Sequence, residues 1–185
     1  MRCPFALLLA LIVCVPAAAH AQVAAYLTYS PVEFDYFNGS GSTPVSNSGI
    51  VQGVGGGVTI DHLHEGRFHT AVDLRASFNS KTYYRGGTGA ADYRIAFIPK
   101  RVALRPFVQL GVGFVTAHDP SSNYLKGPST TDAVLDLAFG LDIRLTPRVD
   151  LRLLEIGGAA PFRRGTNSSP TIGAGVISTG AVYHF

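Results

Sequence analysis

From Asp132 to Leu145 the chain alternates without a break. Ala133, Leu135, Leu137, Phe139, Leu141, Ile143 and Leu145 fall on one side; Val134, Asp136, Ala138, Gly140, Asp142 and Arg144 fall on the other. Successive side chains of a strand point to opposite faces, so this period of two predicts a strand with one apolar face. The same period recurs, loosely in Val23–Ser30 and more firmly in Gly49–Asp61, Arg67–Ser77, Asp92–Ile98 and Pro106–Thr116. It returns in Val149–Ile156, where Glu155 lands on the apolar parity and predicts a bulge or the strand's exit, and in Thr171–Phe185. That makes eight expected strands. Segments rich in Gly, Ser, Pro and Asn separate them: long ones at 31–47, 79–89, 118–131 and 158–170, short ones near 62–66, 99–104 and 146–148. Long and short connections alternate, so the long ones gather at one end of an up-and-down sheet and the short ones at the other.

Alternation alone does not say which face meets water. A soluble barrel buries its apolar face; a membrane barrel turns it outward against lipid. The face opposite the apolar one carries Asp73, Arg75, Asp92, Arg94, Asp136, Asp142, Arg144, Asp150 and Arg152, mixed with Gly53, Gly55, Gly57, Gly111, Gly113 and Gly140. Glycine weakens a water-facing strand, whereas an eight-stranded barrel has an interior only just wide enough for side chains. Charges and glycines together therefore predict a narrow lumen filled by ion pairs, with the apolar rows facing lipid. Asp-x-Arg occurs at 73/75, 92/94, 142/144 and 150/152, which places each pair on one face with balanced signs. The expectation is mutual neutralisation across neighbouring strands rather than an ion pathway, since unpaired buried charge is costly.

Composition agrees with a lipid-facing chain. Charged residues make up only 15% and hydrophobic residues 46%, yet the apolar residues are dispersed by alternation after the first segment. A net charge of +3 over 185 residues is too mild and scattered to argue for nucleic acid. The first 21 residues read as an export signal: Arg2, an apolar Phe5–Val15 and the small-residue exit Ala19-His20-Ala21, with cleavage between Ala21 and Gln22. Residues 22–185 then form one barrel domain. Both cysteines, Cys3 and Cys14, lie in the leader, so the mature chain has no disulfide.

The chain ends on Val182-Tyr183-His184-Phe185, a strand closing on an aromatic. Together with the eight-strand pattern and the loop alternation, this resembles the small bacterial outer-membrane β-barrel family typified by the OmpA-type transmembrane domain. The resemblance implies an all-β, eight-stranded antiparallel up-and-down transmembrane barrel in a Gram-negative outer membrane, with periplasmic termini. It implies contact with outer-membrane lipids and lipopolysaccharide. It also implies insertion by the barrel-assembly machinery, for which Tyr183 and Phe185 are the expected signal. The chain is expected to be a monomer. The family's peptidoglycan-binding role is not expected, because no further domain follows Phe185.

Other motifs are weaker. His62, His64 and Glu65, with Asp61 and His69, contain metal-ligating types, but a polar turn at the membrane interface is the preferred reading; no metal or cofactor is expected. Gly53–Gly57 lacks the Lys-Ser/Thr of a phosphate loop. His118, Asp119 and Ser121 would be the groups for an enzyme acting on lipid A, but a triad needs mutual reach that loop polarity does not supply. Lys81, Tyr83, Tyr84, Arg85, Arg163 and Arg164 suit contact with anionic lipopolysaccharide or serve as interface aromatics and solvated charges. The expected function is a non-enzymatic structural or surface-interaction barrel with a closed lumen; the alternative is a narrow porin, and a lipid A-modifying enzyme ranks below it.

Overall fold

The computed structural model describes residues 22–37, 46–81, 84–99, 102–118, 130–162 and 171–185. They form ten strands of one antiparallel sheet: β1 (Val23–Tyr29), β2 (Val32–Phe37), β3 (Ser46–Val51), β4 (Gly53–Glu65), β5 (Phe68–Lys81), β6 (Tyr84–Phe97), β7 (Leu104–His118), β8 (Thr130–Arg144), β9 (Val149–Pro161) and β10 (Thr171–His184). Each strand from β4 to β10 pairs with the next in sequence, and β1 pairs with both β4 and β10. The sheet closes on itself and has no free edge there, as a sheet in lipid requires.

The ring has eight members because two pairs of strands are halves of longer ones. Tyr29 lies opposite Thr179 and Val32 opposite Val176, so β1 and β2 run along β10 in one uninterrupted register. On their other side Val54 faces Tyr29 and Val51 faces Val32, which makes β3 and β4 a second long strand. The first is broken at Ser30-Pro31 and the second at Gln52. Proline lacks the N–H that a ladder needs. At this break the buried Asn79 amide donates to the Ser30 carbonyl at 2.7 Å and to the Val51 carbonyl at 3.5 Å.

Three expected boundaries change. The stretch 31–47 is not all loop, because β2 and the start of β3 fall within it. The stretch 79–89 is mostly strand, with β5 ending at Lys81 and β6 starting at Tyr84. The turn near 62–66 contracts to Gly66-Arg67, where Gly66 adopts a φ of 65° that favours glycine. The turn after β8 stands as expected: the Thr146 hydroxyl accepts from the Arg148 and Val149 amides at 3.3 and 3.0 Å. The expected leader, with its expected cleavage after Ala21, and residues 119–129 and 163–170 lie outside the described residues.

Burial is inverted relative to a water-soluble protein. Leu27 is 70% exposed, Phe78 61% and Phe139 57%, while Asp73 and Arg152 are 0% exposed. Across the middle of the wall the large outward side chains are Leu, Val, Ile, Phe and Tyr, while Asp73, Asp92, Arg94, Asp136, Asp142, Arg152 and Glu155 are buried inside. Leu27, Tyr29 and Ile177 face outward on the seam where β1 meets β10, so the closing strand follows the parity read from Thr171–Phe185. Lipid is the solvent in which such a surface is stable.

Candidate functional site in the barrel lumen

The lumen is built in three layers, and the middle one is ionic. Arg75 contacts three carboxylates: Asp92 at 3.0 Å, Glu155 at 2.8 Å, and Asp136 through Nη2. Arg152 holds Asp142 at 3.1 Å and Glu155 at 2.9 Å. Arg94 contacts Asp142, with Asp73 at 3.9 Å. Asp73 also accepts from the Tyr26 hydroxyl at 2.6 Å and the Thr59 hydroxyl at 3.2 Å. The four Asp-x-Arg pairs therefore do not neutralise within themselves. Arg75, Arg94 and Arg152 each reach a carboxylate on another strand, and Arg75 crosses the lumen to β8 and β9.

The signs do not balance in this layer. Arg75, Arg94 and Arg152 face Asp73, Asp92, Asp136, Asp142 and Glu155, three guanidinium groups against five carboxyl groups. Each arginine must therefore serve several partners. Aromatic rings add to their stabilisation: Arg94 stacks 3.7 Å from the Phe107 centroid, and Arg152 lies 4.3 Å from Tyr26 and 4.9 Å from Phe107.

Glycine makes room for these groups. A Cβ on Gly57 would sit 2.5 Å from the Tyr26 hydroxyl, one on Gly140 2.2 Å from the Phe107 ring, and one on Gly111 2.3 Å from the Asp92 carboxylate. Large inward side chains thus lie flat across glycines of the adjacent strand. The chain needs glycine there for space, not for turning.

Glu155 enters the lumen through the bulge that its parity predicts. Asp142 faces Arg152 while Leu141 faces Leu154, and Ser178 and Gly180 face Glu155 and Arg152, so β9 carries one extra residue at Leu153-Leu154. Both leucines point outward, 47% and 42% exposed, and Glu155 returns inward at 4%. The Thr179 hydroxyl donates to the Arg152 carbonyl at 2.9 Å beside the irregularity.

On the side of the termini the lumen opens into a cavity of about 440 Å³, lined by Asp61, His69, Arg94, Arg105, Asp142 and Asp150 among others. Asp150 there holds Arg105 at 2.8 Å and His184 at 2.9 Å. Arg144, expected in the lumen, lines the mouth of this cavity, where it is exposed and donates to the carbonyls of Thr146 and Pro147 at 3.4 Å each. Its position at the last residue of β8 keeps it out of the ionic layer. On the far side, Val32, Phe34, Tyr36, Val51, Val115 and Ile172 form a tight apolar layer, each 1% exposed or less. A cavity of about 40 Å³ lies between that layer and the ionic one, lined by Arg75, Asp136 and Glu155 among others.

Of the sequence-derived lumen residues, Asp73, Arg75, Asp92, Arg94, Asp136, Asp142, Asp150 and Arg152 converge inside. Arg105, Tyr26 and Phe107 complete the network unforeseen. Arg105 lies one residue before the alternation that begins at Pro106, since β7 starts at Leu104. Tyr26 and Phe107 share the parity of the charges and carry the signal that could have found them. Tyr183 and Phe185 face outward with their rings 5.1 Å apart. His62 is outward against Tyr93, ring centroids 5.5 Å apart, while His69 faces Asp61 at 3.9 Å. No group of three or more metal-ligating side chains occurs among the described residues. His118 points outward from the end of β7; Asp119, Ser121, Tyr83, Arg163 and Arg164 lie outside the described residues.

Known proteins share this architecture. The model of the outer membrane protein beta-barrel domain matches residues 5–185. Ail, the attachment invasion locus protein of Yersinia pestis, superimposes with a TM-score of 0.58 at 11% identity, over 90% of this chain and 99% of that one. The N-terminal β-barrel domain of Pseudomonas aeruginosa OprF gives 0.57 at 14% identity, over 90% and 100%. Neisserial surface protein A gives 0.50 at 18%, over 89% and 97%. No curated protein matches the sequence significantly.

Proposed function

Given that the chain belongs to the outer membrane protein beta-barrel domain family, we propose that it is a non-conducting and non-enzymatic barrel of a bacterial outer membrane. In this reading the cleaved leader ends at Ala21, the termini face the periplasm, and the barrel-assembly machinery inserts the chain through its closing strand. The folded monomer braces the membrane and offers its outer end for contact with lipopolysaccharide or other surface partners.

The observation that carries the reading is the filled lumen. Arg152 at 0% exposure bridges Asp142 and Glu155, and Arg75 crosses to Asp136. Beyond this ionic layer stand Val32, Phe34 and Val51, also at 0%. A solute entering from the periplasmic cavity meets charges that already satisfy one another, then an apolar layer that hydrated ions enter only at a large desolvation cost.

Planar bilayers test this. The refolded mature chain is expected to give no steps above leak. Steady, reproducible conductance abolished by heat unfolding would instead establish the narrow porin. Barrel formation is checked separately by heat-modifiable gel mobility and by fractionation with the outer membrane.

A further inference from the structure

The outer wall carries a feature that the lumen does not explain. Outward rows on β5, β6 and β7 are apolar from Phe68, Phe97 and Leu104 upward, and they end together. Ser80, Arg85 and His118 lie side by side in register at that end. From Phe68 to Ser80 is ~12 residues, which at ~3.3 Å each and a tilt of ~40° spans about 30 Å, the hydrocarbon thickness. The Arg85–His118 row therefore sits at the outer headgroup level.

Directly beneath it is a groove of about 380 Å³ whose walls are Phe78 and Phe114 and whose floor is Gly87, with Ala76 and Thr116 at its sides. Gly87 faces Phe78 on one neighbour and Thr116 on the other. Phe114 folds its ring across Gly89, 2.6 Å from where a Cβ would stand, and closes the groove's lower end. At the head, Arg85 is exposed and has no ion pair among the described residues. The buried Nδ1 of His118 has no hydrogen-bond partner among the described residues. Cationic and donor groups thus stand above a slot shaped for a single hydrocarbon chain.

We infer that Arg85 and His118 bind a phosphate of an acylated phosphoglycolipid of the outer leaflet, the lipid A type, one of whose acyl chains lies in the Phe78–Gly87–Phe114 groove. This rests on the outer-membrane orientation proposed above and assigns its lipid contact to one site. The choice of a phosphorylated lipid follows from charge complementarity at the head and the apolar lining below. Arginine matches phosphate oxygens with two parallel donors, and the thin polar layer above hydrocarbon strengthens such contacts.

The mature chain, folded in micelles, is titrated with diphosphoryl lipid A by native mass spectrometry, beside phosphatidylglycerol and inorganic phosphate. One lipid A per barrel is expected. Joint Arg85→Ala and His118→Ala should weaken retention at least ~10-fold, as the loss of charge-assisted hydrogen bonds implies. Ala76→Phe fills the groove with the head intact and should do the same. Unchanged retention in either variant overturns the site. Equal retention of phosphatidylglycerol overturns the glycolipid assignment, and saturation by phosphate alone overturns its lipid character. Each variant is also run for heat-modifiable mobility. Loss of lipid from a barrel that still shifts supports the site; lipid A retained normally by a conducting barrel supports the site while refuting the sealed lumen.

Discussion

Replacing Arg152 with Met should be among the most damaging single changes in this barrel. The guanidinium is 0% exposed and joins Asp142 and Glu155, with Tyr26 and Phe107 against its faces. Methionine restores much of the volume but none of the charge. It leaves two arginines, Arg75 and Arg94, to hold the five carboxyl groups of that layer. Breaking a buried pair from one side costs about 3–5 kcal/mol, because the orphaned charge stays behind. With a urea slope of about 2–3 kcal/mol per molar for a chain of this size, the unfolding midpoint should fall by about 1–2.5 M. The chain has no tryptophan, so the transition is followed by far-UV circular dichroism and by the fraction of gel-shifted barrel. The paired control is Asp92→Asn. Asp92 lies 3.0 Å from Arg75 but receives no well-formed hydrogen bond among the described residues, and the layer already holds an excess of carboxyl groups. Its removal should change stability by less than about 1 kcal/mol, or raise it. If Arg152→Met costs under about 1 kcal/mol, or Asp92→Asn costs as much as Arg152→Met, the account of the layer is wrong.

Two further outcomes follow from the packing and the closure. Gly140→Val should destabilise by about 1–3 kcal/mol or more through overpacking against Phe107, and Phe107→Leu in the same chain should recover part of that loss in the urea transition. Gly140→Val alone matching the parent would remove the space-filling explanation of the lumen glycines. Deleting Phe185 should lower the amount of assembled barrel in cells while leaving the midpoint of barrel refolded in vitro within about 0.5 kcal/mol, since the residue is 77% exposed. Normal assembly of the truncated chain would show that the aromatic ending is not read.

Most of the wall was legible because lipid imposes a strict rule on each strand. β8 alternates from Ala133 to Arg144 with no exception before the rim, and Glu155 announced its bulge by breaking parity. What escaped lies where the solvent changes. In β2 the alternation runs the other way: Val32, Phe34 and Tyr36 point inward and Glu33 and Asp35 outward. That is the pattern of a barrel wall above the hydrocarbon, and the Gly, Ser, Pro and Asn content of 31–47, which predicts a loop, masks it. Gly86, Gly87 and Gly89 suggested a turn by composition, yet Gly86 and Gly89 make room for the rings of Phe34 and Phe114. Arg144 has the lumen parity but sits at the exposed mouth of the cavity rather than in the ionic layer, and parity carries no information about depth. The ionic partners were out of reach for another reason. Arg75 on β5 meets Asp136 on β8 with two strands between them, and which charge faces which depends on stagger that a single strand does not encode.

The extra residue at Leu153-Leu154 works like a shift of reading frame. Before it, odd-numbered positions of β9 face lipid; after it, even-numbered ones do, and the same string of amino acids would be read with opposite meaning on the two sides. Removing Leu153 alone would merge the two frames: Leu141 already faces Leu154 and Asp142 already faces Arg152, so the shortened strand would alternate strictly with Arg152 and Glu155 both still inward. A one-residue deletion or insertion anywhere else in β9 has no such slack and would turn every residue on one side of it to the opposite face. Along this strand a change of length should be tolerated at the bulge and not elsewhere, so the spacing of residues carries as much of the barrel's specification as their identity.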